Sequence, residues 1–309
     1  MPTARLAPDV AAYYTAQSTA SDPGAFASRY DELPRDSAQL AAAVRGLMIH
    51  RLEGELFRYH IPEERLHHDA ESRYADEILR ILLGRNDAPL TQRRWVADRF
   101  VGICRDFSLV LCSFLRHAGI PARLRVGFAD YFGSDGFHGD HVVTEYWDEG
   151  RGRWLLGDAE LADPAVRDVY GIAFDPLDVP RDRFLVAGEA WRRIRAGELD
   201  AKRCGLQLPG GPMVGEWFVA GNVRLDLAAL NRAEMLQWDV WGLGAGSDEE
   251  MTGAIRAVYD EAAAVAGDEV PFQEARLLFE RSDALRVPHT VRSLAPFLGP
   301  REVTLRRGR

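Results

Sequence analysis

A cysteine, a histidine and an aspartate (Cys104, His141 and Asp158) follow one another 37 and 17 residues apart. Those three side-chain types are what acyl transfer through sulfur requires. A thiolate attacks a carbonyl carbon. An imidazole within reach holds the thiolate and later protonates the leaving group, and a carboxylate fixes the imidazole tautomer. His138, three residues before His141 in a glycine-rich stretch, competes for the imidazole role. Whether such groups can meet depends on the elements that carry them.

Gly102 to Pro121 reads as one helix with a cysteine in its first turn. Phe107, Val110, Leu111, Phe114, Leu115 and Ala118 fall at the i, i+3, i+4, i+7 spacing of a buried stripe. Gly119 supplies a left-handed stop and Pro121 a residue that cannot continue the helix. The first turn of a helix carries unpaired N–H groups and about half a positive charge. A thiolate is stabilised there, and such cysteines titrate at about 3.5–7.5 instead of about 8.5. The competing reading makes Cys104 a small apolar residue opening a core face. Cys112, mid-helix between Leu111 and Leu115, has no dipole to help it and reads as inert core.

After Pro121 the period changes. Ala122, Leu124, Val126 and Phe128 alternate with Arg123, Arg125 and Gly127, the pattern of a half-buried strand. A Gly/Asp-rich loop from Asp130 to Asp140 leads into a strand from His141 to Trp147, and Arg153–Gly157 returns beside it. Folded about Glu149-Gly150, this hairpin sets His141 directly opposite Asp158, with Cβ atoms about 4.5–5.5 Å apart. A loop one residue longer would turn Asp158 to the other face.

The other segments read mainly as helix. Asp36-Ser37 caps one helix running to about Leu52; others span about Asp69–Leu83 and Thr91–Val101. Later helices are expected over Arg183–Ala196, Leu225–Trp241, Ser247–Ala266 behind a capping box, and Pro271–Leu285. Trp191, Trp217, Trp238 and Trp241 read as core of that helical part, with an acyl- or amine-binding cleft as the alternative for one or two of them. His60, His67 and His68 match no metal-ligand spacing and read as surface or capping residues. The 309 residues carry a net charge of −9, with 47% hydrophobic and 28% charged residues. This is a globular composition without the basic stripe that nucleic acid requires, and Arg93-Arg94, Arg192-Arg193 and the Arg306–Arg309 tail read as solvated surface. No apolar h-region opens the sequence and no long apolar run occurs, so neither membrane insertion nor export is expected. Three cysteines without CxxC spacing fit a reducing, cytoplasmic setting, with neither a disulfide framework nor a zinc site.

Taken together, Gly102-Ile-Cys-Arg-Asp-Phe107, Gly119-Ile-Pro-Ala-Arg123, Asp140-His-Val-Val-Thr-Glu-Tyr-Trp147 and Trp154-Leu-Leu-Gly-Asp158 resemble the transglutaminase-like superfamily over roughly residues 90–165. The resemblance implies an α+β fold: a papain-like core of a central helix with cysteine at its N-terminus, packed on an antiparallel sheet, with helical N- and C-terminal additions. It divides the chain into residues 1–60, a catalytic core at 61–180 and a helical part at 181–309. It further implies Cys104 as nucleophile, His141 as general base and acid, and Asp158 as the orienting carboxylate. His141 is preferred to His138 because it follows Asp140 as the family pattern has it. An oxyanion hole would use the Cys104 N–H and one upstream donor, Trp95 or Gln92. Arg105 and Asp106 read as a flanking ion pair. The implied activity is acyl transfer through a thioester, from a peptide, amide or thioester donor to an amine. Hydrolysis by the same triad, or a non-catalytic interaction module, stands as the alternative. No cofactor or metal is called for, and no acidic calcium loop of the kind found in calcium-activated members is present.

Overall fold

The computed structural model describes residues 4–133, 135–208 and 210–307. In chain order the elements begin Pro8–Thr15 (α1), Ser37–Leu47 (α2), Met48–His50 (β1), Glu63–His68 (α3), Ala75–Arg85 (α4) and Phe100–Gly102 (β2). Cys104–His117 (α5), Ala122–Ala129 (β3), His138–Asp148 (β4), Arg153–Gly157 (β5) and Pro164–Tyr170 (α6) follow. The remainder comprises Phe184–Val186 (β6), Ala187–Arg195 (α7), Cys204–Leu206 (β7), Met213–Val214 (β8) and Glu216–Leu230 (α8). It closes with Asp239–Val240 (β9), Gly253–Val265 (α9), Phe272–Arg281 (α10), Thr290–Ala295 (β10) and Gly299–Thr304 (β11). The chain forms two compact units, one of residues up to Leu124 with Val143–Val179, the other of Arg125–Val142 with Pro180–Arg307. The boundary falls inside β3 and β4.

In the first unit α5 is the central element. It packs against α1, α2, α4 and β2, and every residue from Cys104 to Arg116 is buried. The expected single stripe is therefore surrounded on all sides, so the polar positions need partners inside the fold. They have them: Ser113 Oγ donates to Ser21 O (2.6 Å), Ser108 O accepts from Thr144 Oγ1 (2.9 Å) and Arg116 Nε donates to Ala122 O (3.0 Å). Gly119 (φ +82°) ends the helix as expected. The Gly119 and Ile120 N–H groups donate back to Arg116 O and Leu115 O, closing a Schellman motif. Asp36 accepts from the Gln39 N–H at the start of α2, as its cap role predicts. That helix stops at Leu47, short of Leu52, because Met48–His50 extends to pair with β2.

All of β3 is buried, contrary to the expected half-exposed alternation. Arg123 and Arg125 are held inside by carboxylates. Arg123 Nε donates to Glu145 Oε2 (2.6 Å), and its guanidinium lies over the Trp154 ring at 4.2 Å. Arg125 belongs to the second unit, where it donates to both oxygens of Asp226 on α8 (3.1 and 2.9 Å) and to Gly267 O (2.9 Å). The second unit's core is built by Trp191, Val219, Val223, Leu227, Tyr259, Ala262, Ala263 and Leu278 from α7 to α10. Trp191 is core, and its indole N–H donates to Asp260 Oδ1 (2.7 Å).

The fold class is α+β, as expected, with corrections. The sheet order is β6-β3-β4-β7-β8, with β5 also paired to β4, and the β4–β7 pair is parallel, so the sheet is not purely antiparallel. The segment 91–101 is not a helix but a 3-10 turn and β2. Arg94 is buried, donating to Pro89 O and Gln92 O (2.9 and 2.8 Å). The helix expected over 69–83 is α4, starting at Ala75, because the chain first forms a 3-10 turn at Asp69–Glu71. Arg183–Ala196 divides into β6 and α7, and the 225–241 helix is α8, which starts earlier and stops at Leu230. Thr252 caps α9 in place of the Ser247 box, accepting from the Ile255 N–H (3.2 Å). The C-terminal part also carries the antiparallel ladder β9-β10-β11 and is not wholly helical. Arg306 and Arg307 are exposed, whereas Gly308 and Arg309 of the expected solvated tail lie outside the described residues.

Asp226→Ala removes the counter-charge of a buried guanidinium and is expected to destabilise the chain by about 3–5 kcal/mol. Urea unfolding should show this as a lower midpoint at unchanged slope; a change below about 1 kcal/mol would contradict the assignment.

Candidate active site

Cys104 is positioned by a strand-to-helix junction. β1 and β2 pair in parallel, His50 lying beside Gly102. A Cβ at Gly102 would sit 3.0 Å from Met48 Cε and 3.2 Å from both Asp106 Cβ and Asp106 Oδ2, so the backbone passes where a side chain would crowd its neighbours. Ile103 is extended and Cys104 is the first helical residue. Asp106 ties the junction from within: its Oδ2 accepts the Ile103 N–H (3.0 Å), and its Oδ1 accepts from Arg105 Nη1 (3.2 Å). Arg105 Nη2 also donates to Arg73 O (2.6 Å). The flanking ion pair read from the sequence is thus a buried one. Burial pushes the Asp106 carboxyl up to about 6, the Arg105 charge opposing that rise. Cys104 itself is 6% exposed.

The β4–β5 hairpin forms in a register that differs from expectation. Thr144 pairs with Gly157 and Asp148 with Arg153, so the loop is Glu149–Gly152. Asp148 Oδ1 accepts the Arg151 N–H (2.7 Å), Asp148 O accepts the Gly152 N–H (2.8 Å), and Gly152 takes the left-handed φ of +62°. Continuing that register places Asp158 across from Val143, not His141. The slip is two residues, and the side-chain period is two, so Asp158 keeps the face it was expected to take. In the first unit, carboxyl oxygens of Asp158 and Glu160 lie within 4.8 Å of one another. His141, Asp158 and Glu160 are each buried. Asp158 Oδ1 accepts the Glu160 N–H (3.0 Å), capping the turn Ala159–Ala162 and orienting the carboxylate. The His141 ring meets Phe132, Tyr131 and Phe184 edge-on, centroids 4.9, 5.9 and 6.3 Å away.

Glu160 was not singled out by sequence reasoning. Its only signal is its place two residues after Asp158, in the turn that the aspartate caps. Burial raises its carboxyl well above the ordinary range, and the nearby Asp158 and Glu53 charges raise it further.

The remaining candidates fall elsewhere. His138 opens β4 instead of lying in a loop, beside Cys204 in the parallel pairing with β7, and burial lowers its pKa. Asp140, between the two histidines, accepts from Gln237 Nε2 (2.6 Å), and burial pushes its carboxyl up to about 7. Trp95 is 83% exposed and Gln92 is exposed, so neither is a buried donor. His60 and His68 are exposed and His67 is half-buried, as surface residues should be. Cys112 is buried mid-helix, and burial pushes the Cys204 thiol up to about 12. A cleft of about 430 Å³ lined by Glu32, Pro34, Gln39, Ala42, Ala43, Thr91 and Arg93 includes none of the three chemical groups.

The order helix-borne cysteine, strand-borne histidine and hairpin aspartate can now be set beside known proteins. Residues 77–159 match the transglutaminase-like superfamily. This transglutaminase-like segment runs from α4 to just past Asp158 and contains all three groups. No curated protein matches the chain. A solved structure, a provisionally assigned cysteine protease from Cytophaga hutchinsonii, is similar over 52% of this chain and 44% of that one, with 18% identity and a TM-score of 0.33. The chain therefore spans less than half the length of that protein. Among the described residues, no helix is long and apolar enough to cross a membrane.

The raised Asp106 carboxyl fixes the sign of a pH effect. A folded-state pKa of about 6 against the ordinary 3.8 of an aspartate favours the protonated fold, so stability is greatest below about 4 and is lost as pH rises to about 6. Between pH 4 and 7 the wild type should lose about 2–3 kcal/mol more than Asp106→Asn in urea titrations. Parallel profiles would contradict the assignment.

Proposed function

We propose that this chain is a cysteine-dependent acyltransferase working through a thioester, with Cys104 as nucleophile, His141 as general base and acid, and Asp158 as the carboxylate that orients the imidazole. The observation that carries the reading is a buried cysteine that opens a helix directly after a strand, in a chain whose β4 bears His141 and whose turn after β5 is capped by Asp158. His141 is preferred to His138 because it follows Asp140 as the family pattern has it, whereas His138 pairs with Cys204 at the start of β4. The transglutaminase-like match supports the same assignment.

In the first half-reaction the Cys104 sulfur, ionised by transfer of its proton to His141, bonds to the acyl carbon of a peptide amide or thioester. The carbonyl electrons move onto oxygen and return as the C–N or C–S bond breaks. The imidazolium gives its proton to the departing amine or thiol, leaving a thioester on Cys104. In the second half an amine acceptor attacks that thioester, losing a proton to His141, and the sulfur leaves. Water in place of the amine gives hydrolysis by the same steps. The helix N-terminus favours negative charge both on the sulfur and on the oxyanion.

Iodoacetamide at about pH 6, mapped by mass spectrometry, should label Cys104 at least about tenfold faster than Cys112 and Cys204, and His141→Ala should abolish that preference. Equal slow labelling of all three would favour a non-catalytic module. With a small thioester donor, a primary amine should divert product into the amide adduct. Release of the free acid alone, whatever the amine concentration, would make the enzyme a hydrolase.

A further inference from the structure

Within the first unit, β1 and β2 form a parallel sheet of only two strands, three residues each. Such a pair does not stand alone, and its open edge leaves N–H and C=O groups in need of partners. Gly102 O accepts the Arg51 N–H (2.9 Å), so the peptide groups of Gly102 face β1. Groups at Val101 and Arg99, one and three residues earlier, therefore face the open edge. Among the described residues no strand covers that edge, and side chains take its place. The Val101 N–H donates to Asp69 Oδ2 (2.9 Å), and Arg99 O accepts from Arg85 Nη1 (3.1 Å) and from Arg65 Nη2. Arg85 in turn donates to both oxygens of buried Asp69 (2.6 and 2.7 Å). We propose that Asp69 is a positioning residue for Cys104: paired with Arg85, it offers β2 one acceptor and one donor, as a third strand would, and so holds the strand that delivers the cysteine to α5. This rests on the proposed role of Cys104 as nucleophile.

Val101 lies three residues before Cys104, about 10 Å of extended chain. The Asp106 bond to the Ile103 N–H fixes the helix side of the junction, and the Asp69 bond to the Val101 N–H fixes the strand side. Bonds to β1 alone would hold β2 along one edge and leave it free to tilt about that ladder. The helix dipole acts only over the first turn, so a small tilt moves the sulfur out of its reach.

Two variants separate position from charge. Asp69→Asn keeps an oxygen for the Val101 N–H; Asp69→Ala removes it. Both remove one negative charge, and that loss alone would favour the Cys104 thiolate equally in the two. Loss of position acts in the opposite direction, and in Asp69→Ala only. The readouts are amide hydrogen exchange at Val101 and the pH dependence of Cys104 alkylation by iodoacetamide, with Ser113→Ala, further along α5, as the control for lost stability. In Asp69→Ala, Val101 should exchange at least about tenfold faster. Its alkylation midpoint should rise by about one unit, and the rate at pH 6 should fall about tenfold. In Asp69→Asn both rates should stay within about threefold of wild type, and Ser113→Ala should keep the wild-type midpoint. A wild-type midpoint in Asp69→Ala overturns the proposal, as does a midpoint lowered alike in both variants. Should Asp69→Ala fail to fold, a Val101 amide that exchanges in the wild type as fast as an exposed loop amide still overturns it. If the wild type shows no preference for Cys104 over Cys112 and Cys204, the nucleophile assignment fails, a result distinct from the exchange behaviour of Val101.

Discussion

The bond from the Ile103 N–H to Asp106 Oδ2 is the interaction on which the rest of the site depends. It closes the first turn of α5 from inside, next to a glycine whose backbone approaches Met48 and Asp106 too closely for a side chain. Together they fix where the strand ends and the helix begins, and so where the sulfur of Cys104 sits relative to the helix dipole. The helix can hold that position because it is enclosed on all sides, the Ser113 and Arg116 side chains bonded to neighbouring backbone and the Ser108 carbonyl to the Thr144 hydroxyl.

Burial of acids recurs throughout the fold. Asp106, Asp140 and Glu160 all sit where desolvation favours the neutral carboxyl. Guanidiniums accompany other buried carboxyls, as with Arg123–Glu145 and Arg125–Asp226. Asp140 and His141 show alternation on one strand: successive side chains point to opposite faces, so one meets Gln237 while the other meets Phe132 and Phe184.

Much of the chemistry was legible in the sequence because it resides in local patterns. Gly119 and the stripe from Phe107 to Leu115 defined α5, and the β-branched and aromatic run from His141 to Trp147 with the returning Arg153–Gly157 defined the hairpin. The register escaped by two residues because Asp148 and Gly152 build a four-residue loop that length alone does not reveal. The face survived because the strand period is also two. Arg123 and Arg125 were read as solvent-facing, since alternation assigns charge outward. Their partners, Glu145 and Asp226, are remote in sequence, and only tertiary structure brings them in. Glu160 was missed for a related reason: an acid after a strand looks like a turn residue until its burial is known. The helix assigned to 91–101 failed because Phe100–Gly102 finds a parallel partner in Met48–His50, a long-range pairing that overrides local propensity.

The most direct measurement is the ultraviolet absorbance of the thiolate, followed against pH in wild type and in Cys104→Ser. One thiolate should already absorb at about pH 6–7, well below an ordinary cysteine's titration near about 8.5. That signal should be missing from Cys104→Ser and shifted alkaline in His141→Ala. No thiolate absorbance below about pH 8.5, or the same curve with and without Cys104, would contradict the claim that this helix start and hairpin histidine together hold an ionised sulfur.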